Sequence, residues 1–293
     1  MNDDLRERAL GAYLGFAVGD ALGATVEFMT PREIKADHGV HRHIIGGGWL
    51  RLKAGEVTDD TQMCLVLGES ILAHGTWSLT QFAEGMGAWL KSSPVDVGNT
   101  CRRGIRRYLV DRSVIGEPSE WDAGNGACIR NLPAILSTLH DGDLFREITL
   151  DQAHLTHHNQ LSDEATLALG QMVRAVLHGG GMADIQRLAL DLAARHREFR
   201  FEPYANRSSA YVADTLSTVF HYFFTTDNFK DCLIDVVNQG GDADSTGALA
   251  GMLAGSLYGV SAIPQEWMSR LNPAIVKVIH QQVDGLLNWG QGR

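Results

Sequence analysis

The stretch "GAYLGFAVGDALG", Gly11 to Gly23, sets a glycine at every fourth position, and "GALAGMLAGSLYG", Gly247 to Gly259, repeats that spacing near the other end of the chain. A spacing of four puts each set on one helix face. Glycine in a helix interior costs about 1 kcal/mol relative to alanine, so such a stripe implies a close-packed neighbour that needs the room. The stripes predict two buried helices pressed together, which would bring the acidic residues at their ends into reach of one another. Outward from this pair, apolar residues recur at helical spacing nearly throughout, and strand-like alternation is almost absent. An all-α fold follows, with helices expected over 5–22, 59–74, 79–91, 99–110, 125–139, 150–157, 162–178, 183–196, 207–224, 229–238, 243–258 and 273–288. Thr58, Asp163 with Ser162, Asn228 and Asp242 read as caps, and Gly179–Gly181 and Pro264 as stops. The segments "GGGWL" (46–50) and "EPSEWDAGNG" (117–126) read as irregular loops.

At 293 residues the chain can bury one large core, and no linker divides it, so a single domain over 1–293 is expected. A formal charge of −10 excludes a general polyanion binder, and no nucleic-acid partner is expected. Cys64, Cys101, Cys128 and Cys232 are widely separated with no CxxC pair, which predicts reduced packing residues rather than disulfides or a zinc site. The start "MNDDLRER" lacks the basic region and apolar core of a signal peptide, so a cytoplasmic location is expected. The least polar run, Ser245 to Ile263, is too short and too rich in glycine and hydroxyls to span a bilayer, so no direct membrane insertion is expected.

Two acidic clusters fall at predicted helix starts: "TDDTQ" (58–62) and "GGDADSTGALAG" (240–251). Capping and the helix dipole explain one acid at each place, contributing around 1 kcal/mol. They do not explain two. Thr58, Asp59, Asp60, Asp242, Asp244 and Ser245 together offer four carboxylates and two hydroxyls, a hard oxygen set suited to Mg²⁺ or Mn²⁺ and large enough for two ions. Two such ions would polarise a substrate oxygen and acidify a shared water.

The motifs "GDALGATVEF" (19–28), "TDDTQM" (58–63) and "GGDADSTGALAG" (240–251) in combination resemble those of the ADP-ribosylglycohydrolase family. Similarity in "SSPVDVGNTCRRGIRRY" (92–108), "DAGNGA" (122–127) and "FEPYANRSSAYVADT" (201–215) extends it over most of the chain. The resemblance implies a compact single-domain orthogonal helical bundle, two Mn²⁺ or Mg²⁺ ions, and hydrolysis that frees an arginine from ADP-ribose. It also implies a target, the nitrogenase iron protein (dinitrogenase reductase), reactivated by that removal. A PII-type signalling protein, and reversible membrane association through it, are implied as well.

On the resemblance, Thr58, Asp59, Asp60, Asp242, Asp244 and Ser245 are the metal ligands; position 245 is often threonine in the family, and serine keeps the hydroxyl. Glu27 and Asp96 join Asp60 as catalytic acids, Glu27 toward the metal-bound water or the ribose, Asp96 toward the ribose hydroxyls or as proton acceptor. Read from the residues alone, Glu27 is a solvated glutamate after a helix and Asp96 a cap. Gly98, Asn99, Thr100, Gly124, Asn125 and Gly126 are small residues before predicted helices, where backbone N–H groups can hold a pyrophosphate. His157 matches a family position near the phosphates or adenine, and Tyr211 could stack on adenine; each is otherwise an ordinary structural residue. Arg102, Arg103, Arg106 and Arg107 share one helix face, open to a solvated role, to steering an anion or to docking a partner.

The rival enzyme classes fit less well. The aspartate-rich helix of prenyl-transferring enzymes needs a third acid four residues after the first, and position 63 is Met63. His140–Asp141 has no upstream histidine to complete a His-Asp phosphohydrolase site. A non-catalytic ADP-ribose-binding or structural protein is the remaining alternative, and the intact acids weigh against it.

Overall fold

The computed structural model describes residues 3–73 and 75–289. Its helices are α1 (Asp3–Gly23), α2 (Pro31–His38), α3 (Asp59–Ala73), α4 (Leu79–Lys91), α5 (Asn99–Asp111), α6 (Gly126–Ile129), α7 (Leu132–Ser137) and α8 (Gly142–His154). There follow α9 (Gln160–Leu177), α10 (Met182–Arg195), α11 (Val212–Thr225), α12 (Phe229–Asn238), α13 (Ala243–Tyr258), α14 (Gln265–Met268) and α15 (Pro273–Trp289). Among the described residues there is no β-strand, only isolated bridges joining Gly47 to Leu52 and Gly124 to Tyr211.

The glycine-striped helices form the centre. From Ala9 to Gly23 every residue of α1 is buried, and so is every residue of α13 from Ala243 to Ser256. A Cβ on Gly11 would strike the carbonyl of Gly255, one on Gly15 that of Gly251, one on Gly19 that of Gly247 and one on Gly23 that of Ala243. The descending partner numbers make the pair antiparallel. The end of α1 therefore lies beside the start of α13, where Asp242 and Asp244 sit. Around this pair, α9, α11 and α12 pack on α13, while α3 and α15 pack on α1. Gly251→Ala should drive its methyl into the Gly15 backbone and cost about 3 kcal/mol of stability, read as a lower urea midpoint.

Several boundaries differ from the sequence expectation, each for a local reason. The helix expected over 125–139 is two, α6 and α7, because Pro133 in the first turn of α7 has no N–H to continue the ladder. The helix expected over 150–157 is the tail of α8, which starts at its Asp141 cap, where the carboxylate accepts from Leu144 N at 2.9 Å, and ends at His154. Residues 207–211 precede α11 as irregular chain, and Tyr211 there bridges to Gly124. Asn159, not Ser162 or Asp163, caps α9, while Asn228 caps α12 as expected. The end proposed for α3 at 74 lies outside the described residues. Two helices were not expected: α14, a single turn, and α2, whose Thr30–Glu33 capping box and Pro31 start a mostly polar segment. All four cysteines are buried and free. No helix among the described residues is long and apolar enough to cross a membrane.

Candidate active site

The start of α3 is organised from another helix. Asp20, wholly buried on α1, accepts from Thr58 N at 3.0 Å, from Thr61 N at 3.2 Å and from Thr61 Oγ1 at 2.5 Å. Thr58 Oγ1 accepts from Asp60 N at 3.3 Å. The orphan N–H groups of the first turn are thus served by Asp20 and Thr58, and the side chains of Asp59 and Asp60 are left for other work. Asp242 occupies the cap position of α13 without capping it; its Oδ2 instead accepts from Asn125 Nδ2 at 2.6 Å.

These acids converge on a cavity of about 290 Å³. Glu27, Asp59, Asp60, Asp96, Asp242, Asp244 and Ser245 line it, as do Phe28 and Met63. The rest of its wall includes Gly98, Asn99 and Thr100 at the start of α5, Gly124, Asn125 and Gly126 at the start of α6, and His157. Ser245 Oγ donates to Asp60 Oδ2 at 2.9 Å, tying α13 to α3, and Gly98 N donates to Asp59 Oδ2 at 3.3 Å. Thr58 stands behind, wholly buried and outside the lining. Glu27 is buried rather than solvated, and Trp49 Nε1 donates to its Oε2 at 2.6 Å. Asp96 is half-buried and does not cap α5, which starts at Gly98 with no side-chain cap.

Burial and crowding leave these acids ill-suited to carry charge without a cation. Burial, with repulsion from Asp242, Asp96 and Asp59, pushes Glu27 up to about 8. Burial, with Asp96 and Asp20 nearby, pushes Asp59 up to about 7. Burial raises Asp60 and Asp244 well above the usual carboxylate range, with neighbouring acids adding to it, and raises Asp242 too. Asp20 rises to about 6 through burial alone, against the four hydrogen bonds that favour its anion. Among the described residues none of these carboxylates is ion-paired with a basic side chain.

A divalent cation fits this set. Glu27, Asp242 and Asp244 each place a carboxylate oxygen within 4.8 Å of the others. Buried oxygen donors with no protein cation beside them are the chemistry of a hard-metal site. Asn125, which the sequence suggested for phosphate binding, holds Asp242 in place and also donates to Thr215 Oγ1 at 3.0 Å. Asn125→Ala is expected to weaken Mn²⁺ binding about 10- to 100-fold with the fold intact, measured by calorimetric titration.

His157 is wholly enclosed, and burial, then Arg130 and Arg103, hold its pKa well below the usual histidine value. Thr156 Oγ1, which accepts from Arg130 Nη2 at 2.8 Å, is hydrogen-bonded to His157 Nδ1 at 2.7 Å and so fixes the ring's orientation. The Nε2 edge faces Gly124 and Gly126. Of the four arginines on α5, Arg103 pairs with Asp122 and Arg107 donates to the Leu155 carbonyl, so the basic face is partly consumed in structural bonds. Tyr211 lies outside the acidic cavity. It lines a larger one of about 720 Å³ with Ser119, Glu120, Arg146, His158 and Asn159. The two cavities share walls built of consecutive residues, Ala123–Gly124, His157–His158 and Ala210–Tyr211. The acids of the two sequence clusters, Asp59 and Asp60 with Asp242 and Asp244, are all in the smaller one.

Three residues escaped the reading of the sequence. Asp20 sits inside the quoted "GDALG" and had a signal, the single charged residue in the otherwise uncharged run from Ala9 to Gly23. Trp49 and Thr156 had none, since each acts through a contact distant or invisible in the primary structure.

A family model described as ADP-ribosylglycohydrolase matches residues 1–292. An ADP-ribosyl-[dinitrogen reductase] glycohydrolase from Rhodospirillum rubrum is 57% identical over 97% of this chain and 96% of its own length. The ADP-ribosylarginine hydrolase Tri1 from Serratia proteamaculans (strain 568) is 33% identical over 90% of this chain and 75% of its own. Among solved structures, an "ADP-ribosylglycohydrolase-related protein complex" superposes with a TM-score of 0.86 at 30% identity, covering 99% of this chain and all of that one. The chain belongs to the ADP-ribosylglycohydrolase family.

Proposed function

We propose that the protein is a metal-dependent hydrolase that removes ADP-ribose from an ADP-ribosylated arginine of dinitrogenase reductase, the nitrogenase iron protein, and so reactivates it. The observation that carries this reading is the cavity of unpaired, buried carboxylates at the crossing of α1, α3 and α13, in a chain 57% identical to a glycohydrolase named for that substrate. Residues 1–293 act as one domain. Asp59, Asp60, Asp242, Asp244, Ser245 and Glu27 line the cavity that would hold two divalent cations, Mn²⁺ or Mg²⁺, with Thr58 directly behind Asp60. When bound, the ions supply Lewis acidity and offset the crowded negative charge.

The chain's own residues do the rest. ADP-ribose lies with its pyrophosphate against the uncapped first turn of α5 at Gly98, Asn99 and Thr100, whose N–H groups have no intrahelical partner. The His157 Nε2 edge and the small residues Gly124 and Gly126 give it a second wall. The adenine passes Tyr211 into the neighbouring cavity, because about 290 Å³ is too small for the whole ligand. Water adds to ribose C1″ while the C1″–N bond breaks, its electron pair going to the guanidine nitrogen. Asp96 takes the water proton, and that proton passes on to the guanidine nitrogen, so the basic leaving group departs as guanidinium. Buried carboxylates around the sugar stabilise the positive charge that develops on it. The reading extends to control by a PII-type signalling protein and to reversible membrane association through that partner.

The test is to incubate the protein and Mn²⁺ with ADP-ribosylated dinitrogenase reductase and follow the reductase mass and its electron-transfer activity. Loss of the ADP-ribosyl mass with recovery of activity is expected. Binding of the modified reductase without any mass change would identify a non-catalytic ADP-ribose reader instead.

A further inference from the structure

Phe28 and Trp49 are large, water-facing aromatics at the edge of the carboxylate cavity. Phe28 is 65% exposed and Trp49 50% exposed. Their rings are nonetheless in contact, with centroids 5.3 Å apart at 50°, and Phe28 lines the cavity beside Glu27. Both are held there by specific local structure. Phe28 has φ 63°, a left-handed conformation uncommon for a bulky residue, fixed by its N–H donating to the Gly241 carbonyl at 2.7 Å. Strain of this kind persists where the surroundings over-determine it and concentrates at binding sites. Trp49 follows three positive-φ glycines, Gly46 to Gly48, in a loop closed by the Gly47–Leu52 bridge and anchored by Thr25 Oγ1 donating to the Gly46 carbonyl at 3.1 Å. Its indole N–H is already committed to Glu27, so what the residue offers a ligand is its ring face.

We propose that Phe28 and Trp49 form the platform that receives the guanidinium side of the substrate, the part that becomes the leaving arginine. The inference rests on the functional reading above and goes beyond it by naming the recognition element for the protein side of the scissile bond. A planar cation is the ligand these groups select. It stacks on aromatic faces better than an ammonium does. The adjoining wall carries Glu27 and Asp96 and no lysine or arginine, so charge complementarity points the same way. An exposed apolar pair next to buried acids repels an anionic phosphate, which separates this edge from the small-residue segments before α5 and α6. The platform therefore discriminates between the arginine-linked substrate and free ADP-ribose.

The experiment uses the Mn²⁺-loaded protein and compares KM and kcat on an ADP-ribosyl-arginine protein with the inhibition constant of free ADP-ribose, which has no guanidinium. Phe28→Leu keeps apolar bulk and removes the π face, and Phe28→Ala removes both. Each should raise KM for the arginine substrate about tenfold and shift the ADP-ribose constant by less than about twofold. Trp49→Phe keeps a ring face and loses the bond to Glu27, so KM should hold while kcat falls. An unchanged KM in Phe28→Leu, or a parallel rise of KM and the ADP-ribose constant, overturns the platform. Wild-type turnover, measured first in the same assay, is what the functional reading requires, so either result with wild-type turnover intact rejects the platform alone.

Discussion

Asp60→Asn should abolish turnover and at the same time stabilise the metal-free protein. Asp60 is buried, next to Asp59, within repulsive reach of Asp20 and Asp242, and takes the Ser245 hydroxyl on Oδ2. Asparagine keeps the volume and an acceptor for Ser245 but cannot carry charge. A lost ligand removes cation binding and with it the electrostatic stabilisation of the reaction, so ADP-ribose release should fall on the order of a thousandfold or more. In the metal-free chain the same change removes a like-charge contact in a buried setting, so the urea midpoint at pH 8 should rise. Opposite signs are what separate a ligand from a structural residue. A residue needed for the fold would lose activity and stability together. An unaltered Mn²⁺ titration in Asp60→Asn would remove it from the cage.

The second large effect is a pH dependence that reverses with metal. In the unfolded chain Glu27 and Asp59 titrate near ordinary carboxylate values, about 4. In the metal-free folded chain burial and mutual repulsion carry them to about 8 and about 7. Between these limits the folded state holds protons that the unfolded state has released. Their stabilising contribution is therefore complete below about pH 4 and is lost as the pH rises through 7 to 8. The metal-free melting temperature should drop on the order of 10 °C from pH 5 to pH 8. Surface pairs such as Arg6–Asp284, where the arginine holds the aspartate down, have the opposite sign but are exposed and screened. Cations bind the deprotonated acids, so the stabilisation produced by Mn²⁺ should grow with pH, reaching about 2.7 kcal/mol at 100 times the dissociation constant. A metal-free melting temperature that is flat or rises over this window would contradict the crowded-carboxylate picture.

What could be read beforehand was what a local pattern encodes. The glycine stripes of α1 and α13 specify a close helix pair because few other environments tolerate four glycines on one face. The paired acids of "TDDTQ" and "GGDADS" exceed what two helix caps require, so their surplus was visible. The antiparallel sense of the pair, which brings Asp20 and Glu27 to Asp242 and Asp244, is a property of packing and has no local sign. The same holds for Asp20 capping α3 from another helix, for Trp49 reaching Glu27, and for Thr156 setting the face of His157. Polar α2 buries only Ile34, so it has almost no hydrophobic period to detect, although its Thr30–Glu33 box was in plain view. The break at Pro133 was a local signal that the surrounding apolar run obscured.

The central claim is that the carboxylate cavity binds two divalent cations and thereby frees arginine from ADP-ribose. The direct measurement is a Mn²⁺ titration of chelator-stripped protein against an ADP-ribosyl-arginine protein, following released ADP-ribose and regenerated unmodified arginine together. The account predicts no release without metal, activity saturating at two equivalents of tightly bound Mn²⁺, and one arginine regenerated for each ADP-ribose. Release that persists unchanged in the stripped protein with chelator present would contradict it.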